Sequence, residues 1–194
     1  MNFESLKKSL EDYGDKTLFY ARGNLNLKGF AGKKRATNFS GDYSDGLGFD
    51  IIEDANSIAV DFTSKEKYGI FLEWGVNGTE VNHGSEFSFK SKTINDKAVR
   101  KYISNPKFRL RKVFKNKFGQ TVSQLVQKSK KNIDKAIYPI AKAIAEKGIK
   151  PVPAVQRGSI RAFDDCKEDL ELALAQDLKT IMITGLSKNG IKAK

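Results

Sequence analysis

The sequence predicts an α+β fold: a small antiparallel sheet packed against a long kinked amphipathic helix, with helices at both chain ends and an extended glycine-rich arm. Three observations carry this expectation. Between Ser57 and Thr63, Ile58, Val60 and Phe62 alternate with Ser57, Ala59, Asp61 and Thr63, the period of a half-buried strand. From Thr121, Val122, Leu125, Val126, Ile133, Ile137, Ile140, Ala141 and Ile144 keep to one stripe of a helix that Pro139 should kink or divide. Between Arg22 and Gly48 there are six glycines among lysines and short apolar alternations such as Leu25 and Leu27, which suits an arm or a surface hairpin.

The remaining elements follow in order. Phe3, Leu6, Leu10 and Tyr13 form the stripe of an opening helix that Gly14 is expected to end. The segments from Gly48 to Glu53 and from Ser57 to Thr63 flank the turn residues Asp54-Ala-Asn and read as a hairpin. Tyr68 to Trp74 reads as a third strand or a strand-helix transition, closed by Gly75 and Asn77-Gly78. A short extended piece holds Phe87 and Phe89, and Asn95 caps a helix through Ile103 that stops at Asn105-Pro106. Gly148 stands where the long helix should end, and a last helix is expected from the Asp164-Asp165 pair. Its stripe is Cys166, Leu170, Leu174, Leu178 and Met182, and the tail, residues 183–194, is expected to be flexible. With 194 residues, a single domain is expected, elaborated by the arm at 22–48 and a basic insertion at 83–119.

Composition narrows the functions. The apolar runs, such as Ile70 to Leu72 and Ile181 to Ile183, fall far short of a membrane span, and the opening residues lack the apolar centre of an export signal. The chain is therefore expected to be made and used in a cytosol, without a membrane partner. One cysteine, Cys166, and one histidine, His83, argue against an internal disulfide and a structural zinc. No phosphate loop, dinucleotide fingerprint, nucleophile elbow or zinc-protease helix is legible. His83 reads as an exposed turn residue, Cys166 as a small core residue, and Asp164 with Asp165 as helix-start acids. No catalytic residue, metal or cofactor is expected.

Charge is the strongest signal. The net charge is +12, and from Lys97 to Ile133 there are twelve basic residues and no acid. Phe108, Leu110, Val113, Phe114 and Phe118 are interleaved with them. Such a segment reads as a partner surface, for nucleic acid or for an acidic protein, or as a solvated face.

Two segments carry a resemblance. YGIFLEWG, Tyr68 to Gly75, resembles a strand signature of the tail-completion and minor tail proteins of tailed bacteriophages. IAKAIAEKGIKPVP, Ile140 to Pro153, resembles the helix, glycine break and Pro-x-Pro loop that follow in that family, in the same order. Ala154 stands where the family usually has an aromatic residue, and the insertion at 83–119 is a further departure.

The resemblance implies a non-enzymatic virion protein: a subunit of a homo-oligomeric neck or tail ring that joins the portal or head to the tail and forms part of the DNA conduit. Its partners would be other neck, portal or tail proteins, with non-specific contact to genomic DNA in the channel. Lys107, Arg109, Arg111, Lys112, Lys115 and Lys117 are the candidate partner or DNA contacts. Glu73, Trp74, Phe108 and Phe114 are the candidate subunit-interface residues, although Trp74 with Glu73 reads equally as a core tryptophan beside a surface acid. The alternative is a basic nucleic-acid-binding protein without catalytic activity.

Overall fold

Two long helices, 23 and 35 residues, frame the first part of the molecule: α1 (Glu4–Asn26) and α6 (Ala154–Lys188). The computed structural model describes residues 3–32, 41–54, 57–91, 94–105, 108–115 and 117–188. Between the two helices the chain runs α2 (Asp42–Gly46), β1 (Leu47–Glu53), β2 (Ile58–Ser64), α3 (Gly69–Glu73), α4 (Asp96–Ser104), β3 (Arg111–Lys115), β4 (Thr121–Leu125) and α5 (Lys130–Lys147). The fold is α+β, with two separate two-stranded antiparallel sheets. The chain divides into two compact units, Met1–Gly69 with Pro153–Lys194, and Ile70–Val152.

In the first unit α1 and α6 run antiparallel along a seam of small side chains. Gly14, Thr17 and Ala21 of α1 and Ala154, Gly158, Ala162, Cys166 and Ala173 of α6 are all buried. Their backbones approach so closely that a Cβ on Gly158 would lie 2.8 Å from the Thr17 carbonyl oxygen. Both ends of the seam are tied. The Asn24 amide donates to the Ala154 carbonyl at 3.2 Å, and the buried Asp177 carboxylate accepts from the Ser5 and Leu6 N–H groups at 3.2 and 2.8 Å. Phe3 supplies no side-chain cap, so a residue of the far helix satisfies the opening N–H groups of α1.

The hairpin β1–β2 pairs Phe49 with Phe62 and Ile51 with Val60, and its alternate residues are half-buried, as the period-two pattern predicts. It packs on α1. Phe49 lies so close to Gly14 that a Cβ there would meet the ring at 2.5 Å, which explains why Gly14 does not end the helix. The glycine makes room for an aromatic ring, and α1 continues to Asn26.

Several expectations at 22–48 and beyond are corrected. The start of the expected arm is helical through Asn26, and Arg22 donates to the Ser44 and Leu47 carbonyls at 3.2 and 3.1 Å, folding α2 and β1 back onto α1. Residues 33–40 lie outside the described residues. Gly69–Glu73 is one helical turn, so the sheet has two strands rather than three. The last helix opens at Ala154, ten residues before Asp164, because Ala154, Gly158 and Ala162 carry the same seam as Cys166. It extends through Lys188, into the expected tail, whose residues 189–194 lie outside the described residues. The strict four-residue leucine stripe leaves the seam, because that spacing overshoots a full turn by about 40° at each four-residue step. Leu174, Leu178 and Met182 are exposed, and burial passes instead to Ala173 and Asp177.

In the second unit α4 packs on α5 around Val99, Ile103, Ile137 and Ala141, with Ile94, Phe108, Ile133 and Ile140 against them. Asn95 caps α4 as expected, its side chain accepting from the Lys97 N–H at 2.8 Å. Thr121–Leu125 is strand β4, and α5 opens nine residues beyond Thr121, where Ser129 accepts from the Asn132 N–H. Helix α5 runs through Pro139 undivided and ends at Gly148, whose φ of 72° suits a residue without a side chain.

Candidate functional site

The basic segment forms an antiparallel ribbon. Strand β3 pairs Arg111 with Leu125, Val113 with Ser123 and Lys115 with Thr121, so these residues share one face. Lys112 with Gln124 and Phe114 with Val122 occupy the other. All five residues of β3 are exposed, and the loop between the strands passes through Gly119 at φ 74°. Two apolar side chains stand well out in solvent: Val113 is 64% and Phe118 86% exposed.

At the base of the ribbon a groove of about 760 Å³ opens toward α5. Leu110 and Val126 line it from the ribbon side, and Pro139, Ile140, Ala143 and Ile144 from the helix. Arg111, Lys112, Lys135 and Lys147 also line it. All four cations are exposed, and among the described residues none of them forms an ion pair. An apolar floor with a cationic margin can take up an apolar group attached to negative charge.

Not every basic residue contributes to this surface. Arg100 is paired with Asp134 at 2.6 Å, and Lys128 donates to the Asn105 carbonyl while lying 5.9 Å from the centre of the Phe108 ring. Of the expected contact residues, Arg109, Arg111, Lys112, Lys115 and Lys117 are exposed on or beside the ribbon, and Lys107 lies outside the described residues. Phe114 is 40% exposed, but Phe108 is half-buried against the α4–α5 core and meets Tyr102 edge-on at 5.0 Å. Phe108 thus packs within its own unit. Trp74 is 59% exposed and Glu73 half-buried, the reverse of a core tryptophan beside a surface acid. The groove residues Lys135, Ala143 and Lys147 were not singled out from the sequence, where they read as ordinary positions of an amphipathic helix.

A second arrangement joins the two segments that carry the resemblance. Val76, just after the first, exchanges two backbone hydrogen bonds of 2.8 Å with Ile149 of the second, and the Val152 N–H donates to the Leu72 carbonyl at 2.7 Å. A Cβ on Gly75 would lie 2.6 Å from the Ile149 oxygen, and one on Gly78 would overlap the Glu146 carbonyl at 2.1 Å. Asn77 holds the following loop: its side-chain Oδ1 accepts from the His83 and Ser85 N–H groups, and its side-chain Nδ2 donates to the Ser85 carbonyl. His83 Nε2 is 2.8 Å from the Lys147 carbonyl, so this turn histidine, intermediate in exposure, belongs to the join.

The sequence divides its charge as the structure divides the chain. The segment Ile70–Val152 holds 18 of the 35 basic residues and 6 of the 23 acids, so the entire +12 belongs to it. The other unit is balanced at 17 of each. Among the described residues no cluster of histidine, cysteine, aspartate or glutamate could hold a metal ion, and no helix is long and apolar enough to cross a membrane. No protein-family model, no curated protein and no solved structure matches the chain.

Proposed function

We propose that the protein is a structural subunit of a bacteriophage neck or tail ring, acting in the virion without catalysis and gripping its neighbours through the basic ribbon. The observation that carries this reading is the join of the two family-like segments. Residues 72–78 and 146–152 meet through paired backbone hydrogen bonds and glycines that admit no side chain. Two sequence-distant segments resembling one family, in the same order and in direct contact, support this reading, while the first is a helical turn here where the resemblance implied a strand. The ribbon supplies the working surface. Its cations can steer and orient an acidic face of a portal or neighbouring ring, and exposed apolar residues between them add area that a free ribbon leaves in water.

A second reading is favoured by one feature of the same ribbon. The DNA major groove admits a two-stranded β-ribbon, and Arg111, Lys112 and Lys115 are all exposed on one. The two readings are separated by changing Arg109, Arg111, Lys112 and Lys115 together to glutamine. The ring reading expects the variant to fold and to fail in joining heads to tails, with only weak wild-type affinity for DNA. The DNA reading expects assembly to proceed, and the log-log salt dependence of DNA binding to flatten by about 3 to 4 units. Normal assembly with an unchanged salt slope would refute both.

A further inference from the structure

The apolar groove beside the ribbon has a complementary surface elsewhere in this same chain. On α6, Leu174, Leu178 and Met182 succeed one another at four-residue steps and are 40%, 45% and 66% exposed. N-terminal to them Asp164, Glu168 and Glu171, all exposed, follow at steps of four and three, so they share a face of that helix, and Glu171 is one turn from Leu174. Helix α6 thus presents an apolar stripe continuous with an acidic one. The groove presents the counterpart: Ile140, Ala143 and Ile144 as floor, with Lys112, Lys135 and Lys147 beside them.

We propose that the groove of one copy receives the Leu174–Met182 stripe of α6 from a second copy, with Glu168 and Glu171 meeting the groove cations. This rests on the ring reading and gives it a contact. Three observations favour a second copy as the occupant. The groove's volume, about 760 Å³, falls in the range of about 300 to 1,000 Å³ found for clefts that enclose a ligand. It suits side chains from one helix face. The +12 of the groove's unit is self-repelling, whereas the unit bearing α6 is neutral and gathers five of its 17 acids between Asp164 and Glu171. The two surfaces also differ, so their contact is heterologous, the kind that repeats from copy to copy and closes into a ring when the rotation allows. Lys167 and Lys179 are the cations of α6 between Asp164 and Met182; Lys179 lies within the Leu174–Met182 span, one residue and so about 100° round the helix from Leu178.

The test uses the full chain and two charge-reversed variants, Lys135→Glu with Lys147→Glu, and Glu168→Lys with Glu171→Lys. All four positions are exposed, so the fold should survive, and circular dichroism checks it. Sedimentation velocity should find the wild type in closed oligomers at micromolar concentration. Each variant alone should be a monomer, with self-association weakened roughly tenfold or more. Mixing the two should restore assembly, because each reversed groove then meets a reversed helix and each native groove a native one. Restoration also shows that neither variant had simply unfolded. A wild type that stays monomeric, variants that assemble like it, or a mixture that stays monomeric would each overturn the proposal. If variants assemble like the wild type and still join heads to tails, the ring reading stands and only this contact is lost.

Discussion

Replacing Asp177 by alanine tests whether the far helix caps α1. The carboxylate accepts from Ser5 and Leu6 at 3.2 and 2.8 Å and is 5% exposed. Without it the two N–H groups at the start of α1 lose their partner in a site that admits little water. Losing a capping side chain costs about 0.5 to 2 kcal/mol, and leaving partly buried donors unpaired about 1 to 3. A loss of about 2 kcal/mol is therefore expected at neutral pH. Burial pushes the Asp177 carboxyl upward, but hydrogen bonds from the Leu6 backbone and from the Ser5 side chain and backbone together outweigh it and hold the group below its ordinary 3.8. The unfolded chain thus takes up this proton first. The stabilisation is present above 3.8 and fades as the pH falls through the lower folded-state value. Urea titrations followed by far-ultraviolet circular dichroism, sensitive to α1 and α6, should show the gap between wild type and Asp177→Ala steady down to about pH 4 and closing below it. Asp177→Asn keeps an acceptor without the charge, so it should recover part of the loss and carry none of this pH dependence. A gap under about 0.5 kcal/mol at neutral pH, or one that widens on acidification, would refute the capping role.

Two further substitutions probe the seam. The Thr17 hydroxyl is buried without a hydrogen-bond partner, so Thr17→Val should raise stability by about 1 kcal/mol in the same titration; a loss would mean the hydroxyl is satisfied. Gly158→Ala gains up to about 1 kcal/mol of helix propensity but must part α1 from α6, since the new Cβ would lie 2.8 Å from the Thr17 oxygen and 3.0 Å from the Ala21 nitrogen. A net loss of about 1 to 3 kcal/mol is expected, and a melting temperature at or above that of the wild type would contradict so close an approach.

Local pattern determined a good deal on its own. The α+β class, the hairpin of β1 and β2, the Asn95 cap, the stop at Gly148 and the exposed basic segment all follow from short-range periodicity, turn chemistry and charge. These depend on residues a few positions apart, where backbone geometry is dictated locally. Tertiary structure decided what glycine and alanine do. Gly14 reads as a stop and Ala154-Gly158-Ala162 as a weak helix, because in isolation small side chains only lower apolar content or loosen the backbone. In the fold they let Phe49 settle on α1 and let two long helices come into backbone contact. Likewise Val122 and Leu125 fit a helical stripe continuing to Ile144, but pairing with β3 turned them into a strand, since ladder hydrogen bonds and cross-strand neighbours outweigh a modest helical preference. The groove with its cations was illegible for the same reason. Arg111 and Lys112 stand more than twenty residues before Lys135 and Lys147, and only the folding of the ribbon beside α5 brings them around one apolar floor.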